Sequence, residues 1–134
     1  MQVFNSKTQT FSHRDKYFGR ALNPETFKDA LVEFLHNGQE LVTWFIPTMI
    51  KKLSKLVQVI LSVSNFRFYG SSLLIVYDGH ENADFMRAVD LRMIDFANTV
   101  KIAEENEHCE PDAGYLLGTS SFSEKTLLII QTQG

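Results

Sequence analysis

The spacing of apolar positions changes character twice along the chain. Residues 1–11, MQVFNSKTQTF, alternate loosely between apolar and polar, which predicts an edge strand or one arm of a hairpin. Residues 13–22, HRDKYFGRAL, are polar and read as a connection with Gly19 as a turn residue. A helical period follows. In NPETFKDALVEFLHNG, residues 23–38, the side chains of Phe27, Ala30, Leu31, Phe34 and Leu35 fall on one face. Asn23 supplies a cap, Pro24 fits the first turn, Glu25 suits the positive end of the helix dipole, and Gly38 is the terminator. A second helix is predicted from about Pro47 to about Val63. Ile46, Met49, Ile50, Leu53, Val57, Ile60 and Leu61 share its inner face, and Lys51, Lys52, Lys55 and Gln58 form a solvated outer one.

Beyond that point aromatic and β-branched residues take over. FRFYGSSLLIVYDG, residues 66–79, reads as a strand closing on an Asp78-Gly79 turn. VDLRMIDFA, residues 89–97, reads as a second strand, and a loop of about ten residues makes the two an antiparallel pair. NTVKIAEENEHCEPDAGYLLG, residues 98–118, has the look of loop and turns. EKTLLIIQTQG, residues 124–134, is an apolar tail to which the pattern assigns no state. Two helices and an antiparallel pair, with no repeat, linker or low-complexity segment, read as one compact unit over residues 1–134, or part of one, whose mix of helices and strands agrees with an α+β class.

Composition narrows the function more than the fold. The 134 residues are 44% apolar and 22% charged, ordinary for a globular domain. A net charge of −3 gives no basic field for nucleic acid. The longest apolar run, LLIVY at 73–77, is too short to cross a bilayer, and the first residues lack a signal peptide's apolar core. A single cysteine, Cys109, excludes an internal disulfide and suits a reducing compartment. These features predict a soluble intracellular protein.

One residue breaks the pattern. Asp95 follows Met93-Ile94 and precedes Phe96-Ala97, where a buried strand would take another apolar side chain. A carboxylate there requires compensation, from Arg92 or Arg67, from a cluster of backbone amides in a turn, or from a metal ion. Mg²⁺ suits the last option, because it is held through one or two carboxylates with water and phosphate oxygens. The triplet HRD at 13–15 is the protein-kinase catalytic triplet, but Arg20 stands where that motif needs Asn. It is a coincidence of letters.

Three blocks, RFYGSSLLIVYDG, VDLRMIDFANT and PDAGYLLG, together resemble the inositol polyphosphate kinase family, and most of all its inositol hexakisphosphate kinases. That family reads F-Y-x-S-S-L-L-x-x-Y-D-G, then V-R-M-I-D-F-A-H-T/S, then P-D-x-G-Y-x-x-G-L. The resemblance covers roughly residues 1–118. It implies an antiparallel sheet with packed helices, the carboxy-terminal lobe of a fold like those of protein kinases and ATP-grasp proteins. It also implies Mg²⁺-dependent transfer of the ATP γ-phosphate to an inositol phosphate, with inositol hexakisphosphate giving a diphosphoinositol phosphate. Asp95 would be the Mg²⁺ ligand bridging the ATP phosphates, and Ser72, with Ser71, would face the same nucleotide site, Asp95 and Ser72 being the catalytic positions. Lys16 and Arg20 match K-Y-x-G-R and would contact substrate phosphates, near the position that Asn98 occupies. Asp112, Gly114 and Tyr115 match a block read as structural. The implied partners are ATP and inositol phosphates, with no nucleic acid and no membrane span, in cytoplasm or nucleus or both; oligomeric state is left open.

The chain departs from the family in three places. The P-x-x-x-D-x-K-x-G signature and the amino-terminal lobe that covers adenine are absent and are expected upstream. Asn98 stands where relatives carry His, removing a potential cation from the substrate site. After Gly118 the sequence TSSFSEKTLLIIQTQG does not follow the family's G-L continuation. The isolated chain is therefore expected to have little or no kinase activity. The alternative is a non-catalytic module that holds inositol phosphates or a protein through Lys16, Arg20 and the lysine face.

Overall fold

Asn23 starts a helix in the way its side chain allows: its Oδ1 accepts the N–H groups of Glu25 and Thr26 at 2.9 Å, while Thr26 Oγ1 accepts the N–H of Asn23. The computed structural model describes residues 1–80, 82–84, 86–102 and 110–131. Their elements run β1 (Gln2–Asn5), β2 (Thr10–His13), α1 (Lys16–Ala21), α2 (Pro24–Leu35), α3 (Ile46–Ser62), β3 (Phe66–Tyr69), β4 (Ser72–Tyr77), β5 (Val89–Ile94), β6 (Asn98–Lys101) and α4 (Ala113–Gln131). Cys109 and most of the acidic stretch around it lie outside the described residues, as do residues 132–134. The chain divides into two compact units, Met1–Trp44 with Lys125 onward, and Phe45–Glu124.

In the first unit the opening segment supplies both arms of a hairpin, β1 pairing antiparallel with β2 from Gln2↔His13 to Asn5↔Thr10. Val3 on β1 is buried with Ala30, Leu31 and Leu35 of α2 and with Val42. Gly38, the expected helix terminator, sits at φ +92, and a Cβ there would overlap the Asn5 side-chain amide. That amide is itself held, its Oδ1 accepting the N–H groups of Lys7 and Thr8. HRDKYFGRAL is not a polar connection. Asp15 Oδ1 accepts the Phe18 N–H at 2.9 Å and starts α1, so Gly19 lies inside a helix rather than at a turn. Arg14 pairs with Glu33 of α2 at 2.8 Å and stacks over the Phe18 ring, and Asp15 is a cap, so both charged residues of HRD have structural roles.

In the second unit α3 buries Ile46, Met49, Leu53 and Ile60 together with Phe45, Ala88 and Val89. Leu61, expected on the inner face, is 49% exposed: the buried face of α3 at this turn is held by Ile60, and Leu61, one residue further round the helix, points away from it. Lys52 leaves the outer face as well: its ammonium donates to the Val89 carbonyl at the start of β5. The Phe45 ring stacks on Tyr77 with centroids 4.4 Å apart. Burial there pushes the Tyr77 hydroxyl up to about 12.

The stretch read as one strand over 66–79 is two. β3 pairs with β6 from Phe66↔Lys101 to Tyr69↔Asn98, and β4 pairs with β5 from Ser72↔Ile94 to Tyr77↔Val89. Residues 98–101 are thus a strand, and residues 113–131 a helix, where loop, turns and an unassigned tail were expected. The two ladders follow each other along one antiparallel ribbon, interrupted where Gly70-Ser71 on one arm faces Asp95-Phe96-Ala97 on the other. The second arm carries one more residue, the count that defines a β-bulge.

Candidate functional site

The break in the ribbon decides where the predicted site residues go. The second strand ends at Ile94, so Asp95 lies just past it and is exposed, not buried in the strand as its neighbours suggested. Its backbone takes φ +65, and Gly70 across the break takes φ +70. Non-glycine residues rarely adopt that conformation; Asp tolerates it better than most. The extra residue turns the Asp95 side chain out of the pleat alternation that would otherwise fix its direction.

Neither arginine considered as a partner reaches Asp95. Arg92 Nε is 2.8 Å from Asp90 Oδ2, and this hydrogen bond holds the Asp90 carboxyl below its ordinary value. Arg67 Nη1 donates to the carbonyls of Ser64 and Phe66 at 2.9 and 3.0 Å. Among the described residues the Asp95 carboxylate has no hydrogen-bond or ion-pair partner.

Ser72, Ser71 and Asn98 gather at the same break. Ser72 begins β4 opposite Ile94, the residue before Asp95, and its exposed hydroxyl has no partner among the described residues. Ser71 differs. Its Oγ donates to the Phe68 carbonyl at 3.0 Å and its N–H to the same oxygen at 3.2 Å, so it shapes the turn. Asn98 begins β6, with its Nδ2 3.6 Å from where a Cβ on Gly70 would stand, an ordinary van der Waals contact, so it is the positive φ and not space that suits position 70 to glycine. Lys16 and Arg20 belong to the first unit. They lie one helical turn apart on α1, both exposed, with Lys16 Nζ over the Tyr17 ring.

The sequence reading missed two features. Alternation along β4 exposes Leu74 (44%) and Val76 (55%) on the same side as Ser72, an apolar strip ending at the site. Gly70 was the visible signal for the break, since glycine inside a strand pattern marks a bulge. Asp112, read as structural, is so. Its Oδ2 accepts the Phe68 N–H at 2.9 Å and its Oδ1 the Tyr115 N–H at 3.0 Å at the start of α4. Partial burial raises the Asp112 carboxyl, but the donors Phe68, Tyr115 and Gly114 and the charge of Arg67 outweigh it and hold it below its ordinary value.

A divalent cation fits what is present. No group of three or more His, Cys, Asp or Glu side chains with metal-binding geometry occurs among the described residues. Asp95 and Ser72 offer one charged and one neutral hard oxygen, the partial set that suits Mg²⁺ or Mn²⁺ completed by water and phosphate oxygens.

Comparison with known proteins bears on the family and the fold. The family model described as inositol polyphosphate kinase matches residues 1–126, past Gly118, where the motif resemblance stops. Inositol hexakisphosphate kinase 3 of Homo sapiens is 38% identical over 142 aligned positions, covering 88% of this chain and 35% of that protein. Inositol hexakisphosphate kinase 2 of Rattus norvegicus is 33% identical over 167 positions, covering 100% of this chain and 39% of that protein. The chain spans little more than a third of the length of these curated relatives. A structure from protein engineering of inositol phosphate multikinase superposes with a TM-score of 0.75 at 18% identity, over 96% of this chain and 59% of that one. The S. cerevisiae inositol phosphate multikinase in complex with ADP and Mn²⁺ gives 0.73 at 17% identity, over 96% and 55%. At these identities the superpositions show a shared α+β fold.

Proposed function

Since the chain belongs to the inositol polyphosphate kinase family, we propose that it carries the phosphate-metal half of a kinase site acting on a highly phosphorylated inositol. In the proposed reaction the bond between the β-bridging oxygen of ATP and its γ-phosphorus breaks, and an acceptor oxygen bonds to that phosphorus. With inositol hexakisphosphate the acceptor is a phosphate oxygen, so the product is a diphosphate. Mg²⁺ held at Asp95 would neutralise charge on the transferring phosphoryl group.

The chain's own residues position and neutralise. Asp95 holds the cation side of the triphosphate, Ser72 offers a hydroxyl to a phosphate oxygen, and the Leu74 and Val76 strip offers an apolar surface to the base. Lys16 and Arg20, one turn apart on α1, give two cationic donors for substrate phosphates, while Asn98 gives a neutral amide in place of a cation. The P-x-x-x-D-x-K-x-G segment does not occur within residues 1–134, so these residues alone are expected to bind the ligands with little turnover.

The observation that carries the reading is Asp95: exposed, without a partner among the described residues, and held at φ +65 on the break of the ribbon. Calorimetric titration of the chain with Mn²⁺ and ADP tests it. Binding that requires both ligands and is lost in Asp95→Asn supports the reading; equal binding by the variant sinks it. Stabilisation by inositol hexakisphosphate that survives Asp95→Asn but falls in a Lys16→Gln, Arg20→Gln double variant would place the acceptor on α1.

A further inference from the structure

The peptide of Phe68 lies between the break and the start of α4. Asn65 and Ile102 are joined through the Ile102 N–H and the Asn65 carbonyl, which makes 65, 67 and 69 the hydrogen-bonded positions of the β3–β6 ladder. Phe68 is therefore a non-hydrogen-bonded position opposite Thr99, and both its peptide groups face the outer edge of β3. Neither is left free. Asp112 Oδ2 takes the N–H at 2.9 Å, and Ser71 supplies two donors to the carbonyl. The Phe68 ring meets Phe96, the residue after Asp95, edge-on at 6.4 Å and Tyr115 at 6.2 Å.

We propose that Asp112 is a positioning residue for the Asp95–Ser72 site, holding both sides of the break in register through Phe68. One route runs along the backbone, from the Asp112 carboxylate through the Phe68 peptide to Ser71 and so to Ser72. The other runs through the Phe68 ring to Phe96 and so to Asp95. A cap needs one carboxylate oxygen, and Tyr115 N–H uses Oδ1 for that. The second oxygen on Phe68 is beyond what capping asks, and it falls on a strand residue that touches both arms of the break, Ser71 on one and Phe96 on the other. The inference rests on the reading of Asp95 as the cation ligand and deepens it.

Asp112→Asn separates the two jobs. Asn caps helices as well as Asp, so α4 keeps its Tyr115 bond, but an amide NH₂ then faces the Phe68 N–H, donor against donor. Asp112→Ser is the second variant, capping without reaching Phe68, in case the first folds poorly. Each full-length variant is compared with the parent chain by amide exchange at Ser71 and Thr99 and by Mn²⁺ titration with ADP. The expected result is exchange at both amides about tenfold faster and Mn²⁺ affinity about tenfold weaker, with helix content by circular dichroism kept. A lowered melting temperature with unchanged Ser71 and Thr99 exchange and unchanged Mn²⁺ affinity would overturn the inference and leave Asp112 a plain cap. If the parent chain binds no Mn²⁺, the cation reading of Asp95 fails, and the exchange comparison alone still decides whether Asp112 holds the break.

Discussion

Replacing Asp95 by glycine is expected to leave the protein as stable as before while abolishing its response to a divalent cation. At φ +65 an ordinary side chain costs roughly 1–2 kcal/mol, and a short polar one such as Asp costs less. Glycine escapes that cost but loses about 0.5–1 kcal/mol more chain entropy on folding. The two effects nearly cancel, so Asp95→Gly should fall within about 1 kcal/mol of the parent chain. Asp95→Ala keeps the Cβ and loses Asp's tolerance of this backbone, so it should be the worse of the two by about 1 kcal/mol. That order reverses the usual one, in which alanine is the milder change. If the carboxylate instead compensated a buried cation, both variants would lose roughly 3 kcal/mol or more. Urea unfolding followed by circular dichroism, with and without Mn²⁺ and ADP, measures both quantities. At a hundredfold excess over its dissociation constant a ligand adds about 2.7 kcal/mol to the parent chain, and neither variant should show that gain. A loss above about 2 kcal/mol in Asp95→Gly, or a retained gain, would refute the reasoning.

Gly38→Ala should destabilise by about 3 kcal/mol or more, from φ +92 plus the overlap with the Asn5 amide, and Gly38→Asn should not rescue it because the overlap remains; thermal melts of both variants check this. Tyr115→Phe should be neutral or stabilising by up to about 1 kcal/mol, since the Tyr115 hydroxyl is buried without a partner among the described residues, whereas a loss of that size would reveal one. The folded chain keeps the Tyr77 proton up to about pH 12, whereas the unfolded chain releases it near 10, so stability present below pH 10 falls as pH rises toward 12. The loss should be at most about 2 kcal/mol, and Tyr77→Phe should flatten that limb of the curve in urea titrations at pH 8 and 11.

The helices were legible because their ends are written locally. Asn23, Pro24 and Gly38 mark α2 within a few residues of one another, and the inner face of α3 repeats at helical spacing down to Ile60. Two helices escaped for local reasons as well. A single glycine outweighed the Asp15 cap of α1, and α4 is apolar on several sides, with Leu117, Leu127 and Leu128 exposed, so it has no face for a period to reveal. The site was legible only in its letters. The carboxylate, the serines and the asparagine were all named, yet the break that gathers them is a difference in register between two ladders. That register joins Tyr69 to Asn98 and Ser72 to Ile94, residues far apart in sequence, and no window along the chain contains both partners. The same distance hid the second hydrogen bond of Asp112, whose donor is the Phe68 N–H.

Why such a break suits the proposed phosphate-metal site follows from what strands do with their backbone. In a continuous ladder the hydrogen-bonded pairs fix the register and every side chain alternates, so a carboxylate has only two directions to point and its neighbours cannot draw aside. One extra residue removes both restrictions at a single point. Asp95 leaves the alternation, and the ladders on either side fix the break from Phe66 to Tyr77 on one arm and from Val89 to Lys101 on the other. The cost is a positive φ at Asp95, and the Phe68 peptide, outward on the edge of β3, is satisfied beside the break by Asp112 and Ser71. A site made this way depends on the residues that close the break as much as on those that face the ligand. Asp112→Asn and Asp95→Gly should therefore both lose the cation, the first by loosening the frame and the second by removing the ligand from a frame that stays intact.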